Sequence, residues 1–132
     1  MSEQVKQLPI FVYGTLRPGG SLYPQIRPFV ARHEPAQMEN FVMYSVGMFP
    51  VIFQGDGAVQ GDLLHIHEDQ WGKTIRLLDY IEANGQLYNR TDSYVASTPG
   101  KPLVPVWVYL TTTPVSALGP ERRVVSNDWF RR

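Results

Sequence analysis

The sequence predicts an α+β fold in which a mixed β-sheet curls toward a barrel and a helix packs on its side. Three observations support this class: five or six short runs of β-forming residues, one well-patterned helix, and a high content of turn formers. Eleven glycines and eleven prolines among 132 residues divide the chain into short elements. A chain of this length forms one domain, which we expect to span residues 1–132. The order of the strands does not follow from this pattern.

The N-terminal part predicts a strand, a loop and a short helix. Residues 10–13 are a compact run of β-forming side chains that ends at Gly14, and residues 15–20 are typical of a loop. Pro24 suits the start of a helix, whereas Pro28 would strain its interior. The apolar residues that recur at helical spacing here are Leu22, Ile26, Phe29 and Val30.

Most of the strands are predicted after residue 37. The runs cover residues 41–44, 51–53, 59–67, 88–97 and 104–110. Between two of them, the Gly-Asp-Gly sequence at residues 55–57 predicts a hairpin turn. A helix is predicted over residues 68–83, because it opens on two acidic residues and is followed by an Asn-Gly pair. In the tail, residues 127–132, we expect the aromatic side chains to pack and the charges to remain in water.

The composition excludes several classes of function. Twelve basic and twelve acidic residues balance, so no net field favours nucleic acid or an anionic membrane. The absence of cysteine excludes disulfides, a thiolate nucleophile and the common structural zinc sites. Residues 1–7 are polar, and the most apolar stretch, residues 41–53, is too short to span a bilayer. We expect a cytoplasmic protein without nucleic-acid, membrane or obligate protein partners.

Glu82 is the first candidate for chemistry. At 100° per residue, Trp71, Ile75 and Leu78 share one helical face, and Glu82 projects from the same apolar stripe. Burial there raises the pKa of a carboxyl group above about 4.3, and the helix C-terminus acts in the same direction. This is the profile of a general acid/base. The alternative is that the helix end frays and the carboxylate turns into water. The opposite arc of the helix is predicted to hold Gly72, Lys73, Arg76 and Asp79.

Residues 13–16, Tyr-Gly-Thr-Leu, are the second candidate. A strand there runs directly into a tight loop, and successive backbone N–H groups in such a bend can bind a carboxylate or an oxyanion. Gly14 permits close approach of a ligand to the backbone. The alternative is an ordinary strand end with a glycine turn. The chain has neither a Walker lysine at the required spacing nor a Gly-x-Ser-x-Gly elbow.

Two tyrosines and the histidines complete the candidates. Tyr88 lies on the polar face of its strand, which forms either a pocket wall or a solvated face, and Tyr109 is either core or pocket lining. We include both among the substrate-binding residues. His65 and His67 share a strand face, but a metal needs further ligands, and His33 and scattered carboxylates are the remaining donors. We therefore expect no metal site.

Three motifs, in this order, resemble the gamma-glutamylcyclotransferase-like superfamily. They are Phe-Val-Tyr-Gly-Thr-Leu-Arg at residues 11–17, Leu-Asp-Tyr-Ile-Glu at 78–82 and Leu-Tyr-Asn-Arg-Thr at 87–91. The Ser-Asn-Asp-Trp sequence at residues 126–129 is similar to a Gly-Asp-Trp ending in that family. The resemblance covers about residues 10–129 and is nearest to the gamma-glutamylamine cyclotransferase branch and related small bacterial proteins.

The resemblance implies a small mixed β-barrel of about five to seven strands with flanking helices. It implies that Tyr13, Gly14, Thr15 and Leu16 form a substrate-binding loop and that Glu82 is the catalytic acid/base. The implied reaction is attack of the α-amine of a γ-glutamyl amide on its own γ-carbonyl, which releases 5-oxoproline and a free amine without a cofactor or a metal. The partner it implies is the small γ-glutamyl substrate.

The sequence departs from the family pattern at two positions. Ala83 follows Glu82 where glycine is usual, and Asn127 stands in the tail where glycine is common. Neither change removes a reacting group, but the first bears on how Glu82 is presented. The alternative function is therefore a non-catalytic protein that keeps the fold and binds a small carboxylate.

Overall fold

A computed structural model describes residues 6–98 and 100–132 of the chain. The strands are β1 Ile10–Val12, β2 Val30–Ser45, β3 Pro50–Ile66, β4 Tyr88–Val95, β5 Val104–Thr111 and β6 Arg123–Val124. The helices are α1 Tyr23–Ile26 and α2 Trp71–Ile81. Single 3₁₀ turns cover Arg27–Phe29, Glu68–Gln70, Val115–Ala117, Pro120–Arg122 and Trp129–Arg131.

All six strands belong to one mixed sheet in the order β4-β5-β1-β3-β2-β6. β1 pairs with β5 in parallel, and the other pairs are antiparallel. Gln37 of β2 exchanges backbone hydrogen bonds of 2.8 and 3.1 Å with Ala96, which follows β4. The sheet therefore curls back on itself, although β4 and β6 remain its two edges. The predicted α+β class, with a mixed sheet of five to seven strands, is confirmed; the sheet is not closed.

The hairpin turn predicted at residues 55–57 is wrong. These residues lie inside β3, and the chain reverses earlier, at residues 46–49. The glycines are needed for close packing instead: a Cβ on Gly57 would lie 2.7 Å from the Asn127 side chain and 3.0 Å from the Phe41 carbonyl oxygen. The irregularity of the ladder falls on the opposing strand, where Asn40 has a φ of 66° beside a register shift.

The two predicted helices are both found, with different bounds. The first is shorter than predicted, because Pro28 supplies no N–H to continue it and Val30 already begins β2. The second consists of a 3₁₀ turn followed by α2, and Glu82 is the residue directly after α2. Its predicted apolar face is confirmed by the burial of Trp71, Ile75 and Leu78. No helix in the described ranges is both long and apolar enough to cross a membrane.

Alternation along β1 connects two apolar clusters on opposite faces of the sheet. Ile10 packs in the cluster that contains Leu78 of α2. Phe11 and Tyr13 pack in the other cluster, together with Trp129 of the C-terminal turn. The end of β1 is therefore held between α2 on one side and the C-terminal turn on the other.

Candidate active site

A cavity beyond the end of β1 brings together all seven site residues that the sequence predicts. They come from four separate segments: the turn after β1, the end of α2, the start of β4 and the middle of β5. The cavity volume is about 40 Å³, so it encloses one end of a ligand rather than a whole one. The lining consists of Tyr13, Gly14, Thr15, Leu16, Glu82, Tyr88 and Tyr109, together with Phe11, Val12, Phe49 and Pro50.

The turn after β1 presents three backbone donors without acceptors. Its closing bond runs from the Arg17 N–H to the Gly14 carbonyl oxygen, at 3.1 Å. Within the described residues, the N–H groups of Gly14, Thr15 and Leu16 donate to no acceptor. Because a shielded N–H without a partner is costly, three in succession are typical of a site for an anion.

Two close approaches of the chain near this turn require glycine, one at Gly14 and one at Gly20. A Cβ on Gly14 would lie 2.7 Å from Cγ of Pro50, on the opposite wall of the cavity. A Cβ on Gly20 would lie 2.3 Å from the Thr15 carbonyl oxygen, over which the chain folds back. A side chain at Gly14 would force the turn away from the wall, and one at Gly20 would force the loop away from the Thr15 carbonyl group.

Glu82 is the one charged residue in the lining of this cavity. Its N–H still donates to the Leu78 carbonyl oxygen, at 2.9 Å, so the last turn of α2 fixes its backbone. The side chain is partly buried, and this burial raises the pKa of the carboxyl group to about 7. Glu82 therefore changes its protonation state near neutral pH.

The three tyrosines around Glu82 remain neutral. Burial is the first cause that raises the pKa of each phenol, and the negative charge of Glu82 adds to it. Their hydroxyl protons are already engaged. Tyr13 donates to the Tyr109 carbonyl oxygen at 2.5 Å, and Tyr88 donates to the Pro50 carbonyl oxygen at 3.1 Å. These side chains thus form the walls of the cavity, and their oxygens remain available as acceptors.

Asp79 and Arg90 were not predicted as a pair. Arg90 Nε and Nη2 donate to the two carboxylate oxygens of Asp79, at 2.9 and 3.3 Å, and the Tyr109 hydroxyl donates to Asp79 Oδ1 at 2.6 Å. Asp79 belongs to the arc predicted to lie opposite the apolar stripe of α2, and this pairing draws it against β4 and β5. The pair joins the helix that carries Glu82 to the strands that carry two of the tyrosines. Its signal in the sequence was the Leu-Asp-x-x-Glu motif followed by Tyr-x-Arg.

The charges of the C-terminal tail are not all in water, contrary to prediction. Asp128 Oδ1 accepts from Arg17 Nη1 at 2.8 Å, and Arg17 Nε donates to Asp62 Oδ2 at 2.7 Å. The Arg17 side chain is 12% exposed, so this ion pair is largely shielded. Trp129 packs in the core as predicted, whereas Phe130 is half exposed. Arg17 follows directly after the predicted substrate loop, which was the available signal for it.

Both departures from the family pattern fall on left-handed backbone. Ala83 has a φ of 47° and Asn127 a φ of 55°, a region in which glycine is free of strain. Asn127 has a compensating role, because its Oδ1 accepts from the Met43 N–H at 3.1 Å and from Arg123 Nη1 at 2.7 Å. Ala83 has no side chain with which to make such contacts.

The histidines lie outside the cavity lining. His65 Nε2 is 3.0 Å from Glu34 Oε2, a partly exposed pair between β3 and β2. Over residues 6–98 and 100–132, no group of three or more histidine, aspartate and glutamate side chains is arranged to hold a metal ion.

Comparison with known proteins finds related sequences and similar folds. The family model described as "Gamma-glutamyl cyclotransferase, AIG2-like" matches residues 10–131. The gamma-glutamylcyclotransferase family protein YtfP of Escherichia coli K12 is 29% identical over 125 residues, which are 93% of this chain and 96% of that protein. A crystal structure of an AIG2-like protein from Mus musculus superposes with a TM-score of 0.67 at 27% identity, over 87% of this chain and 81% of that chain. The solution structure of E. coli YtfP gives 0.59 at 27% identity, over 92% and 96%.

Proposed function

Because the chain belongs to the gamma-glutamyl cyclotransferase, AIG2-like family, we propose that it converts a γ-glutamyl amide into 5-oxoproline and a free amine. One observation carries this proposal. A carboxyl group whose pKa is raised to about 7 shares a small cavity with three backbone N–H groups that have no acceptor among residues 6–98 and 100–132. The first suits a base that must also act as an acid, and the second suits a carboxylate of the substrate.

Glu82 carries the proton through the reaction. As the carboxylate, it takes a proton from the α-ammonium group of the substrate, and the freed amine attacks the γ-carbonyl carbon. The C–N bond of the new ring forms, Glu82 returns its proton to the leaving nitrogen, and the bond to that nitrogen breaks. The extra proton on the ring nitrogen then passes to Glu82, which is again a carboxylate, and from it to the released amine. Nucleophile and electrophile belong to one molecule, so the main task of the site is to hold them in the reactive geometry.

The turn after β1 holds the substrate. The cavity lining includes no arginine, lysine or histidine, so the N–H groups of Gly14, Thr15 and Leu16 are the positive potential available to a carboxylate. We assign them to the α-carboxylate of the γ-glutamyl group. We expect this contact to bring the adjacent α-ammonium next to Glu82, which lines the same cavity.

The open side of the cavity favours an amine as the leaving group. Phe49 lines the cavity and is 47% exposed, and Met48, the residue before it in the β2–β3 turn, is 80% exposed. A leaving amino acid would bring a second carboxylate against these apolar side chains, and no cationic side chain in the lining would pair with it. A leaving alkylamine would pack against them instead. The proposed activity is therefore of the gamma-glutamylamine cyclotransferase type.

The test is release of 5-oxoproline from a γ-glutamyl alkylamine, γ-glutamyl-ε-lysine and γ-glutamyl-α-amino acids. We expect turnover of the alkylamine substrate to exceed that of the α-amino acid substrates. Glu82→Gln should lower kcat by a factor of about 10² to 10⁴ and still bind 5-oxoproline. Glu39→Gln, which changes an exposed glutamate of β2, is the matched control and should keep full activity. Absence of turnover on every substrate, or equal activity of Glu82→Gln and wild type, contradicts the proposal.

A second candidate function is binding without turnover. It is favoured by the three free N–H groups, which suffice to hold a carboxylate without any contribution from Glu82. On this alternative, wild type and Glu82→Gln bind 5-oxoproline with comparable affinity and neither releases it from any amide.

A further inference from the structure

Arg17 connects the anion-binding turn to two distant parts of the chain. The turn consists of residues 14–17, and the Arg17 N–H closes it on the Gly14 carbonyl oxygen. Arg17 is not part of the cavity lining. Its guanidinium group lies between two carboxylates: Asp62 of β3, at 2.7 Å, and Asp128 beside the C-terminal turn, at 2.8 Å. The backbone that presents the free N–H groups is thus tied at its last residue to both.

The acceptor at the C-terminal end is itself rigidly placed. Asp128 Oδ1 also accepts from the Phe130 N–H at 3.0 Å, which fixes the carboxylate to its own backbone. The neighbouring Trp129 is 2% exposed in the core, and the ring of Phe130 lies 4.3 Å from the Arg17 guanidinium. Residues 127–130 therefore form a fixed C-terminal anchor for Arg17 rather than a loose tail.

We propose that Arg17 is a positioning residue of the active site, through which the C-terminal anchor sets the geometry of the anion-binding turn. Two different nitrogens of one planar guanidinium donate to the two acceptors, whereas all three N–H groups of a lysine extend from a single nitrogen. A lysine at this position reaches one carboxylate and releases the other. The free N–H groups then lose their common direction while the core beneath them stays packed.

This inference rests on the proposed function for the identity of the ligand, and a binding measurement tests it without turnover. The variants are Arg17→Lys and Asp128→Asn, with 5-oxoproline as the probe in calorimetry and a γ-glutamyl alkylamine in the assay. We expect Arg17→Lys to weaken 5-oxoproline binding about tenfold and to raise KM by a similar factor. The acidic limb of kcat/KM, which belongs to Glu82, should not move.

Two controls separate positioning from general stability. Arg131→Gln removes a cation that lies 3.6 Å from the same Asp128 but whose side chain is 83% exposed; it should leave Kd and KM unchanged. The double variant of Arg17→Lys and Asp128→Asn should weaken binding by less than the product of the two single effects, because both changes act on one connected group. If Arg17→Lys does not fold, Asp128→Asn alone tests the positioning role, and we expect it to raise the Kd for 5-oxoproline.

The outcomes distinguish this inference from the proposed function. A lower Tm with wild-type Kd and KM in the folded variants gives Arg17 a purely structural role and overturns the inference. If the wild-type protein binds 5-oxoproline but turns over no substrate, the proposed function is overturned. The Kd of Arg17→Lys for 5-oxoproline then still tests the positioning role. A wild-type protein that neither binds 5-oxoproline nor turns over the alkylamine substrate overturns both.

Discussion

Glu82 is a carboxylic acid held partly out of water, and its expected behaviour follows from that. Because burial raises its pKa to about 7, the group must lose its proton before it can act as a base. We predict that kcat/KM for a γ-glutamyl alkylamine rises with pH along an acidic limb centred near 7. The ammonium group of the substrate adds a second, more alkaline ionisation to the profile. A limb near 4.5 in wild type, or a limb that Glu82→Asp does not change, would contradict the assignment.

The free energy of unfolding checks the same pKa independently of turnover. In the unfolded chain Glu82 ionises near pH 4.5, and in the folded chain near 7. As pH rises between these values the unfolded chain loses its proton first, so the stability that the protonated side chain contributes at low pH is lost by about pH 7. Glu82→Gln has no such loss. Relative to wild type it should be more stable at pH 8 than at pH 4 by about 1–2 kcal/mol, after allowance for partial exposure. Urea denaturation at the two pH values measures this difference.

The segments that follow α2 and β6 each contain one residue with a left-handed backbone, Ala83 and Asn127. Ala83 carries a left-handed φ of 47° without compensation, so Ala83→Gly should raise the free energy of unfolding by about 0.5–1 kcal/mol. Asn127 uses its side chain to bond Met43 and Arg123, so Asn127→Gly should lower it by about 1–3 kcal/mol. Urea denaturation checks both. Ala117→Gly, at an exposed alanine with ordinary backbone, is the control and should be mildly destabilising; a loss of stability in Ala83→Gly would contradict the strain.

Elements whose patterning is local were predicted well. α2 has a complete apolar stripe and polar residues before and after it, so the burial of Trp71, Ile75 and Leu78 was predicted correctly, although Thr74 is buried as well. The 16-residue β2 and 17-residue β3 were seen only in fragments. Their glycines interrupt the pattern of β-forming residues although the backbone continues, because close packing requires a small residue there. A local pattern does not distinguish a glycine at a chain reversal from a glycine that is needed because another residue packs closely against its Cα.

At the scale of the whole molecule, Trp129 anchors the end of the chain in the core. It packs with Phe11 and Tyr13 on the face of the sheet opposite α2. Trp129→Ala should cost about 3–5 kcal/mol, a large part of the stability of a domain of this size. Thermal unfolding followed by circular dichroism measures it. Val125→Ala, at a side chain that is 87% exposed in the same segment, is the control and should change stability by less than about 0.5 kcal/mol. Equal melting temperatures for the two variants would contradict the anchor.

Several properties of the whole molecule stay predictions. They include the cytoplasmic location, the single domain over residues 1–132, and the absence of a cofactor and of an obligate protein partner. The site roles of Glu82 and of the turn at residues 14–16 stay proposals that the assays above test.

The sequence by itself determined the apolar face of α2, the position of Glu82 at its end, the strand that runs into the Tyr-Gly-Thr-Leu turn, and the family resemblance. All of these depend on short stretches of the chain, in which residue type and spacing are enough to predict the local structure. The tertiary structure alone decided that the turn, Glu82, Tyr88 and Tyr109 line one cavity and that Arg17 pairs with Asp128 across 111 positions of the chain. It also decided that the N–H groups of the turn have no acceptors in the part of the chain that the structure describes. The physical reason is that strand order decides which distant residues meet. Spacing along one element reports which face is buried, and it carries no information about what lies against that face.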